Sequence, residues 1–467
     1  MSPEDRSAAR VALFIAVLAG YLAPFDISAV NIALPSIGAE FSMDAVSLSW
    51  VSTAYLLSAA LFLVPFGRIA DIVGRKRVFV LGLSLFAGAS FFMSLTVIPA
   101  TIIPLRVVQG MGGALIYGTA VAILTAVTPH ADRGKALGIY TTSVYMGLSL
   151  GPFLGGFMTA ALGWRSIFLV NVPVGIIALW LIRTRLHGEW ADARGEGFDA
   201  AGSVLYGLSL VAVMVGFTWL PALPGLLMIV LGGVLLAGFV LKERRVRHPV
   251  LDTALFTGNR VFALSNLAAL INYAATFAVT FFLSFYLQSI RGYDPAMAGL
   301  ILVTQPILQA IFSSPAGRLS DRVEPGKVAS AGMGLCALGL LLLAFIREST
   351  PLPYLLLALA LLGVGFALFS SPNTNAVMSS VERRCYGVAS GTLGTMRYIG
   401  QMLSMGIAMT LFSVYIGQVE IGPGNYPGLL TAIQTGFMIM TVLCVIGIFP
   451  SLARGKMREG EKAECRV

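Results

Sequence analysis

The stretch Gly67–Arg77 reads GRIADIVGRKR, and five of its eleven residues are charged: Arg68, Asp71, Arg75, Lys76 and Arg77. They sit in a chain of 467 residues that is 57% hydrophobic and only 11% charged. Soluble chains carry roughly 25% charged residues. With less than half of that, 51 glycines and a mean hydropathy of +0.85, this chain cannot clothe a water-facing surface. The charge is therefore concentrated where the chain must meet water, and apolar runs lie on both sides of it.

Crossing the hydrocarbon takes roughly 20 mainly apolar residues per helix. Fourteen such runs are present, at about 11–34, 48–66, 78–98, 100–128, 136–162, 165–182, 199–220, 224–241, 261–289, 296–316, 328–346, 352–371, 386–416 and 428–450. The seventh and eighth form a hairpin turned by Pro221–Gly225. The first run lacks a distinct small-residue cleavage site and is read as a retained span rather than a secretory leader.

Charge tests the count. With both termini placed in the cytoplasm, the inner segments hold 26 of the 31 Lys and Arg, and the outer loops hold Arg165, Arg291 and Arg347. The remaining two, Arg106 and Arg397, lie inside spans. This is the positive-inside asymmetry expected of a multi-pass protein of the plasma (inner) membrane with an even number of spans. It accounts for the net charge of +9 without nucleic acid. Cys336, Cys385, Cys444 and Cys465 are scattered without metal-ligand spacing and read as small apolar filler, so neither a metal nor a disulfide is expected.

The opening motif has an echo. GRIADIVG at Gly67 recurs as GRLSDRVE at Gly317, 250 residues later, placing Asp321 where the first copy has Asp71. Setting the hairpin aside leaves six spans plus six, with a copy after the second span of each set. Two six-helix halves with a substrate site between them near the midplane are a recurrent transporter plan. The expected organisation is an all-α membrane protein: a six-helix bundle over 1–185, a linker with the inserted hairpin over 186–250, and a second six-helix bundle over 251–467.

Five motifs in order resemble the major facilitator superfamily and, within it, the 14-helix drug/proton antiporters. GRIADIVGRKR is similar to the family's signature between spans 2 and 3, with Ile72 where a basic residue is usual. DISAVNIALP (Asp26–Pro35) resembles the signature ending span 1, and RVVQGMGG (Arg106–Gly113) the span 4 motif. GLSLGPFLGG (Gly147–Gly156) resembles the antiporter motif of span 5, and GWRSIFLVNVPVG (Gly163–Gly175) the start of span 6. The resemblance covers nearly the whole chain. It implies multidrug efflux in exchange for protons, by alternating access, with no cofactor and no enzymatic chemistry. A monomer is expected, with small-molecule substrate, protons and the lipid bilayer as its partners.

Gly67 and Gly74 permit tight turns in the charged loop, and Asp71 can bind a helix N-terminus or an arginine. The resemblance implies that Asp71, with Arg75 beside it and Asp321 in the second copy, latches the two halves near the start of span 13. A solvated loop that only sets topology is the alternative.

Asp26 is the one acid placed within a span. Burying it costs roughly 2.5–3.5 kcal/mol on insertion scales, which marks it as a functional candidate. It lies ~13 Å from the outer end of span 1, and Arg106 lies ~10 Å from the outer end of span 4, at 1.5 Å per residue. Burial and a neighbouring cation pull a carboxyl's proton affinity in opposite directions. Proton coupling through Asp26 and Arg106 is the expectation, with a static tie between spans 1 and 4 as the alternative.

Gly147, Gly151 and Gly155, with Pro152 and Gly156, make a close-packing face on span 5, expected against span 10. Asn31, Gln109, Tyr117, Tyr145, Gln305, Gln309 and Arg397 are the candidate cavity residues. Tyr21, Asn272, Phe281, Asn373 and Asn375 are weaker ones, each as readily a tie between helices. GTMRYIGQ (Gly394–Gln401) is similar to a family feature of span 13; Arg397 is expected to contact substrate or to balance Asp26, with a structural partner role as the alternative. Some cation exporters of the family carry further acids in span 10. Gln305 and Gln309 stand there instead, which argues against divalent cations as substrates. No GxxxxGK[ST] loop for a nucleotide is present. A carrier for one metabolite, or a non-transporting receptor on the same scaffold, remains an open alternative.

Overall fold

The computed structural model describes residues 3–129, 133–186, 188–246, 249–251, 253–382 and 385–455. Among the described residues, fourteen helices are long and apolar enough to cross a membrane. They are α1 (Ala9–Phe41), α2 (Ala45–Val73), α3 (Arg75–Ser94), α4 (Pro99–Val127), α5 (Ala136–Leu162), α6 (Arg165–Arg185) and α7 (Ala200–Trp219). The remainder are α8 (Leu223–Glu243), α9 (Arg260–Ile290), α10 (Pro295–Ser320), α11 (Pro325–Ala344), α12 (Leu352–Ser379), α13 (Tyr386–Tyr415) and α14 (Pro423–Ala453). Among the described residues the only extended pairing is an isolated bridge between Asp44 and Glu420.

The all-helical fold follows from the solvent. Hydrocarbon offers the backbone no hydrogen-bond partner, so every apolar run must satisfy its own N–H and C=O groups. The helices meet water at capped ends. The Asp44 carboxylate accepts from Val46 N and Ser47 N at 3.0 Å, Asp199 from Gly202 N at 2.9 Å, and Asp294 from Met297 N at 2.7 Å. α1 runs seven residues beyond the expected limit, through Pro35, and stops where Ser42 adopts φ 48°.

The helices form two six-membered bundles, α1–α6 and α9–α14, with α7 and α8 as an extra hairpin. α7 lies against both halves. Tyr206 Oη donates to Ala60 O of α2 at 2.9 Å, and Thr410 Oγ1 of α13 donates to Phe217 O at 2.9 Å. α8 turns Leu226, Leu227, Val230 and Val234 outward, as a lipid-facing helix does.

The halves close together at one end, the end bearing the α1–α2, α9–α10 and α13–α14 connections. Ala45 N donates to Val419 O at 3.1 Å, and Gln288 Nε2 donates to Ile32 O at 2.9 Å. α5 and α10 touch backbone to backbone there: a Cβ added at Gly156 would stand 2.2 Å from Pro295 O. This corrects the expected face of α5. Gly147, Gly151 and Gly155 face Tyr21, Ser28 and Ala29 of α1, in their own half. Pro152 and Gly156 form the next stripe round the helix, and it is this stripe that meets α10. Residues one apart on a helix point about 100° apart, so two small-residue stripes serve two different neighbours.

Cys336 and Cys444 are buried free thiols, as expected of filler. Cys385 is disulfide-bonded, against that expectation.

Candidate functional site

The charged motif of the opening stretch is clasped by the linker that follows α6. Only Gly74 makes a turn, at φ 126° between α2 and α3, whereas Gly67 is helical within α2 with open space beside it. Asp71 accepts from Arg75 Nε at 2.8 Å, and Arg75 also reaches Asp192 at 2.9 Å. The segment after α6 completes the clasp. Arg75 N donates to Trp190 O at 2.9 Å, Ala193 N to Asp71 O at 3.0 Å, and Lys76 N to Glu189 Oε1 at 2.8 Å. Arg68 pairs with Glu196. Asp71 therefore finds an arginine one turn away, and among the described residues it makes no contact with the other half. The side chain of Asp321 lies outside the described residues.

The buried acid and cation meet. Arg106 NH1 donates to Asp26 Oδ2 at 2.5 Å, and both side chains are almost fully buried, at 1% and 0% exposure. Asp26 Oδ1 accepts from Gln109 Nε2 and Asn171 Nδ2, each at 2.9 Å. Arg106 also donates to Val51 O at 2.9 Å and to Gln109 Oε1 at 2.6 Å, and its guanidinium lies 4.6 Å from the Tyr55 ring centroid. Gln109 continues the chain to Ser90 at 2.9 Å. The network joins α1, α2, α3, α4 and α6 inside one bundle. Gln109 is thus part of this network and not a cavity residue. Asn171 escaped notice because an asparagine in GWRSIFLVNVPVG carries no signal of its own; its value comes from facing Asp26 across the bundle.

Between the bundles lies a cavity of about 90 Å³. Asn31 and Tyr145 line it from one half, and Gln305, Gln309 and Arg397 from the other. Tyr117 lies just off it, edge-on to Tyr398 with ring centroids 5.8 Å apart. The wall includes two helix irregularities. α9 is interrupted at Phe277, where Thr276, Phe277 and Thr280 face the cavity. α10 is interrupted at Val303, just before Gln305 and Pro306. Irregular helix at mid-depth is tolerated where it borders a polar cavity. Tyr145 bonds Ser370 across the halves at 2.7 Å, and Ser149 Oγ donates to Pro306 O at 3.2 Å. Asp26 is not a wall residue, although its neighbours Ile27 and Ser28 are.

The weaker candidates are ties. Phe281 packs among Phe282, Phe285 and Phe412. Tyr21 stacks on Phe25, and Asn375 Nδ2 approaches Ser320 Oγ at 3.5 Å. Asn272 is buried and does not line the cavity. Asn373 Oδ1 accepts from Arg454 NH1 at 2.9 Å, and the same guanidinium reaches Ser265 Oγ at 3.1 Å. Arg454 thereby joins the end of α14 to α12 and α9. Sequence reading counted it as one of the basic residues of the C-terminal tail, because its partners lie 81 and 189 residues away.

The matches to known proteins agree with this architecture. The Major Facilitator Superfamily matches residues 16–242 and 266–464. The riboflavin transporter RibZ of Clostridioides difficile is 28% identical, with 94% of this chain and 96% of that protein covered. The cephamycin export protein CmcT of Amycolatopsis lactamdurans is 34% identical over 96% and 94%. The multidrug resistance protein Stp of Mycobacterium tuberculosis is 31% identical over 84% and 73%. Among solved structures, a D-xylose–proton symporter superposes with a TM-score of 0.69 at 14% identity, covering 98% of this chain and 100% of that one. A two-bundle fold with a mid-depth cavity, matched along nearly its whole length, leaves one assignment: this chain is a membrane transporter, not an enzyme, and belongs to the Major Facilitator Superfamily.

Proposed function

We propose that this protein exports hydrophobic or amphipathic small molecules from the cytoplasm in exchange for protons, by alternating access. The observation that carries the reading is the cavity itself, which is walled by both halves and lies beneath the closure at the α1–α2 end. Relatives over most of the chain are drug-resistance and export proteins. The charge asymmetry supports termini in the cytoplasm and a closed end outside, and in this reading the membrane is the plasma membrane. In this reading the conformer is inward-facing, supported by the contacts between the halves at the α1–α2 end and by an Asp71 without a contact to α13 among the described residues; the latch would form in the outward-facing state. The bundles divide near residues 185 and 250, and a monomer contains the whole pathway.

Asp26 is the proton carrier in this reading, and Arg106 tunes it. Proton arrival would break the contact with Arg106 and loosen α1 from α4. One charge crossing 100 mV releases ~2.3 kcal/mol, enough for a gradient of several tens-fold at 1.4 kcal/mol per decade.

The test is transport of a dye panel in proteoliposomes under an imposed pH gradient. Several structurally unrelated dyes should move with wild type, and gradient-driven movement should vanish in Asp26→Asn. Absence of flux for every compound rejects antiport, and unchanged pumping by the variant removes Asp26 from the mechanism. A second reading, a carrier for one metabolite, is favoured by the near full-length match to a riboflavin transporter. Movement of one compound alone would select it.

A further inference from the structure

We propose that the central cavity takes an organic anion, an apolar body bearing one carboxylate, and that Arg397 is the group that binds the carboxylate. The inference rests on the transport reading of the same cavity and names the substrate class.

The cavity wall contains one arginine and no aspartate or glutamate. Arg397 enters no salt bridge among the described residues, and its Nε is buried without an acceptor. Its guanidinium has aromatic company instead, lying 5.6 Å from the Tyr273 ring centroid. Asp26, the acid that sequence reading offered as a balancing charge, is already taken by Arg106 and is absent from the wall. The cavity therefore carries one uncompensated positive charge at mid-membrane depth, where an isolated charge is costly. A tyrosine face offsets part of that cost; a carboxylate, through two parallel charge-assisted hydrogen bonds, offsets more.

A second donor points the same way. Gln309, on α10, lines the cavity at 7% exposure, and its Nε2 is buried without an acceptor. Arg397 Nε and Gln309 Nε2 are thus two buried donors of one cavity wall without acceptors, beside one unpaired amide oxygen, Gln401 Oε1. Buried donors in folded proteins are nearly always paired, so unpaired donors on a cavity wall are groups waiting for a ligand. Ile27, Leu148, Phe277 and Phe366 supply the apolar part of the wall. A cation would meet the guanidinium with no acid to offset the repulsion.

The test uses three probes with one ring system: 1-naphthaleneacetate, 1-naphthaleneacetamide and 1-naphthylmethylammonium. Equilibrium binding to the purified full chain in lipid nanodiscs should rank the acetate at least about tenfold above the amide, because a charge-assisted pair replaces a neutral one, with the ammonium weakest. Arg397→Gln should erase the difference between acetate and amide, and Arg397→Lys should keep part of it. Thermal unfolding checks that each variant folds. If Arg397→Gln does not fold, Gln309→Ala takes its place and should weaken the acetate more than the amide. Equal or inverted ranking in wild type, no binding of any probe, or a preference that survives in the variant used overturns the proposal. Proton-driven movement of cationic dyes combined with such a result would leave the transport reading standing. Loss of gradient-driven flux with the anion ranking intact would sink the antiport reading alone.

Discussion

Gly156 of α5 and Gly299 of α10 lie against each other across the two halves. A Cβ on Gly156 would stand 2.2 Å from Pro295 O, and one on Gly299 would stand 2.2 Å from Pro152 O. Each glycine is held to its size by the partner helix's backbone, which cannot swing away as a side chain can. This seam lies at the end where the two halves close together. Gly156→Leu should wedge the seam open and lengthen the distance between spin labels on Ser47 and Val419, one on each side of the Ala45–Val419 backbone contact. Overpacking of this kind costs about 1–3 kcal/mol, enough to shift a closed conformer to a minority. An unchanged label distance would show that the seam does not set the conformer.

The pair of Asp26 and Arg106 predicts an order of stabilities. Removing one partner of a buried ion pair costs about 3–5 kcal/mol, because the other charge is left alone. Arg106→Met leaves the Asp26 carboxylate facing Gln109 and Asn171 only, and should lower thermal stability the most. Asp26→Asn leaves the Arg106 guanidinium without its carboxylate and should also destabilise. The double variant Asp26→Asn/Arg106→Met should recover part of the loss, since no uncompensated charge remains. Additive losses, measured by thermal unfolding of purified protein, would mean that the two residues act independently and that their 2.5 Å contact contributes little.

What the sequence made legible was whatever repeats along the chain or is forced by the solvent. The span count came from hydrophobic run length, and the hairpin α7–α8 from its position outside the motif repeat. The depth match of Asp26 and Arg106 came from helical rise alone. What stayed hidden depended on rotation about a helix axis. The stripe Gly147, Gly151, Gly155 and the stripe Pro152, Gly156 look like one feature in sequence, yet they face α1 and α10 respectively. Gln109 follows Arg106 by three residues and so shares its face, which takes it into the Asp26 network and away from the cavity. Asn171 and Arg454 owe their roles to partners far along the chain, which no local pattern encodes. The mooted balance between Arg397 and Asp26 failed because Arg106 reaches the carboxylate first.

Asp199, at the start of α7, supplies a pH dependence with a definite sign. Burial pushes its carboxyl up, but hydrogen bonds from Lys242 and from Gly202 N outweigh burial and hold it below the usual carboxylate value of 3.8. The Lys242 ammonium pairs with the same oxygen and thereby ties the two ends of the α7–α8 hairpin together. A carboxyl with a lowered value in the folded state contributes stability that is present at neutral pH. That contribution is lost as pH falls below the ordinary carboxylate value and through the lower folded one. Asp199→Asn keeps an acceptor for the cap but loses the ion pair, so it should destabilise modestly, by about 0.5–1 kcal/mol for a partly exposed pair. The difference between wild type and variant should shrink as pH is lowered from 5 toward 3, because the wild-type carboxyl is then protonated as well. Thermal unfolding across that range measures it, and a difference that does not change with pH would show that Asp199 acts through its cap alone.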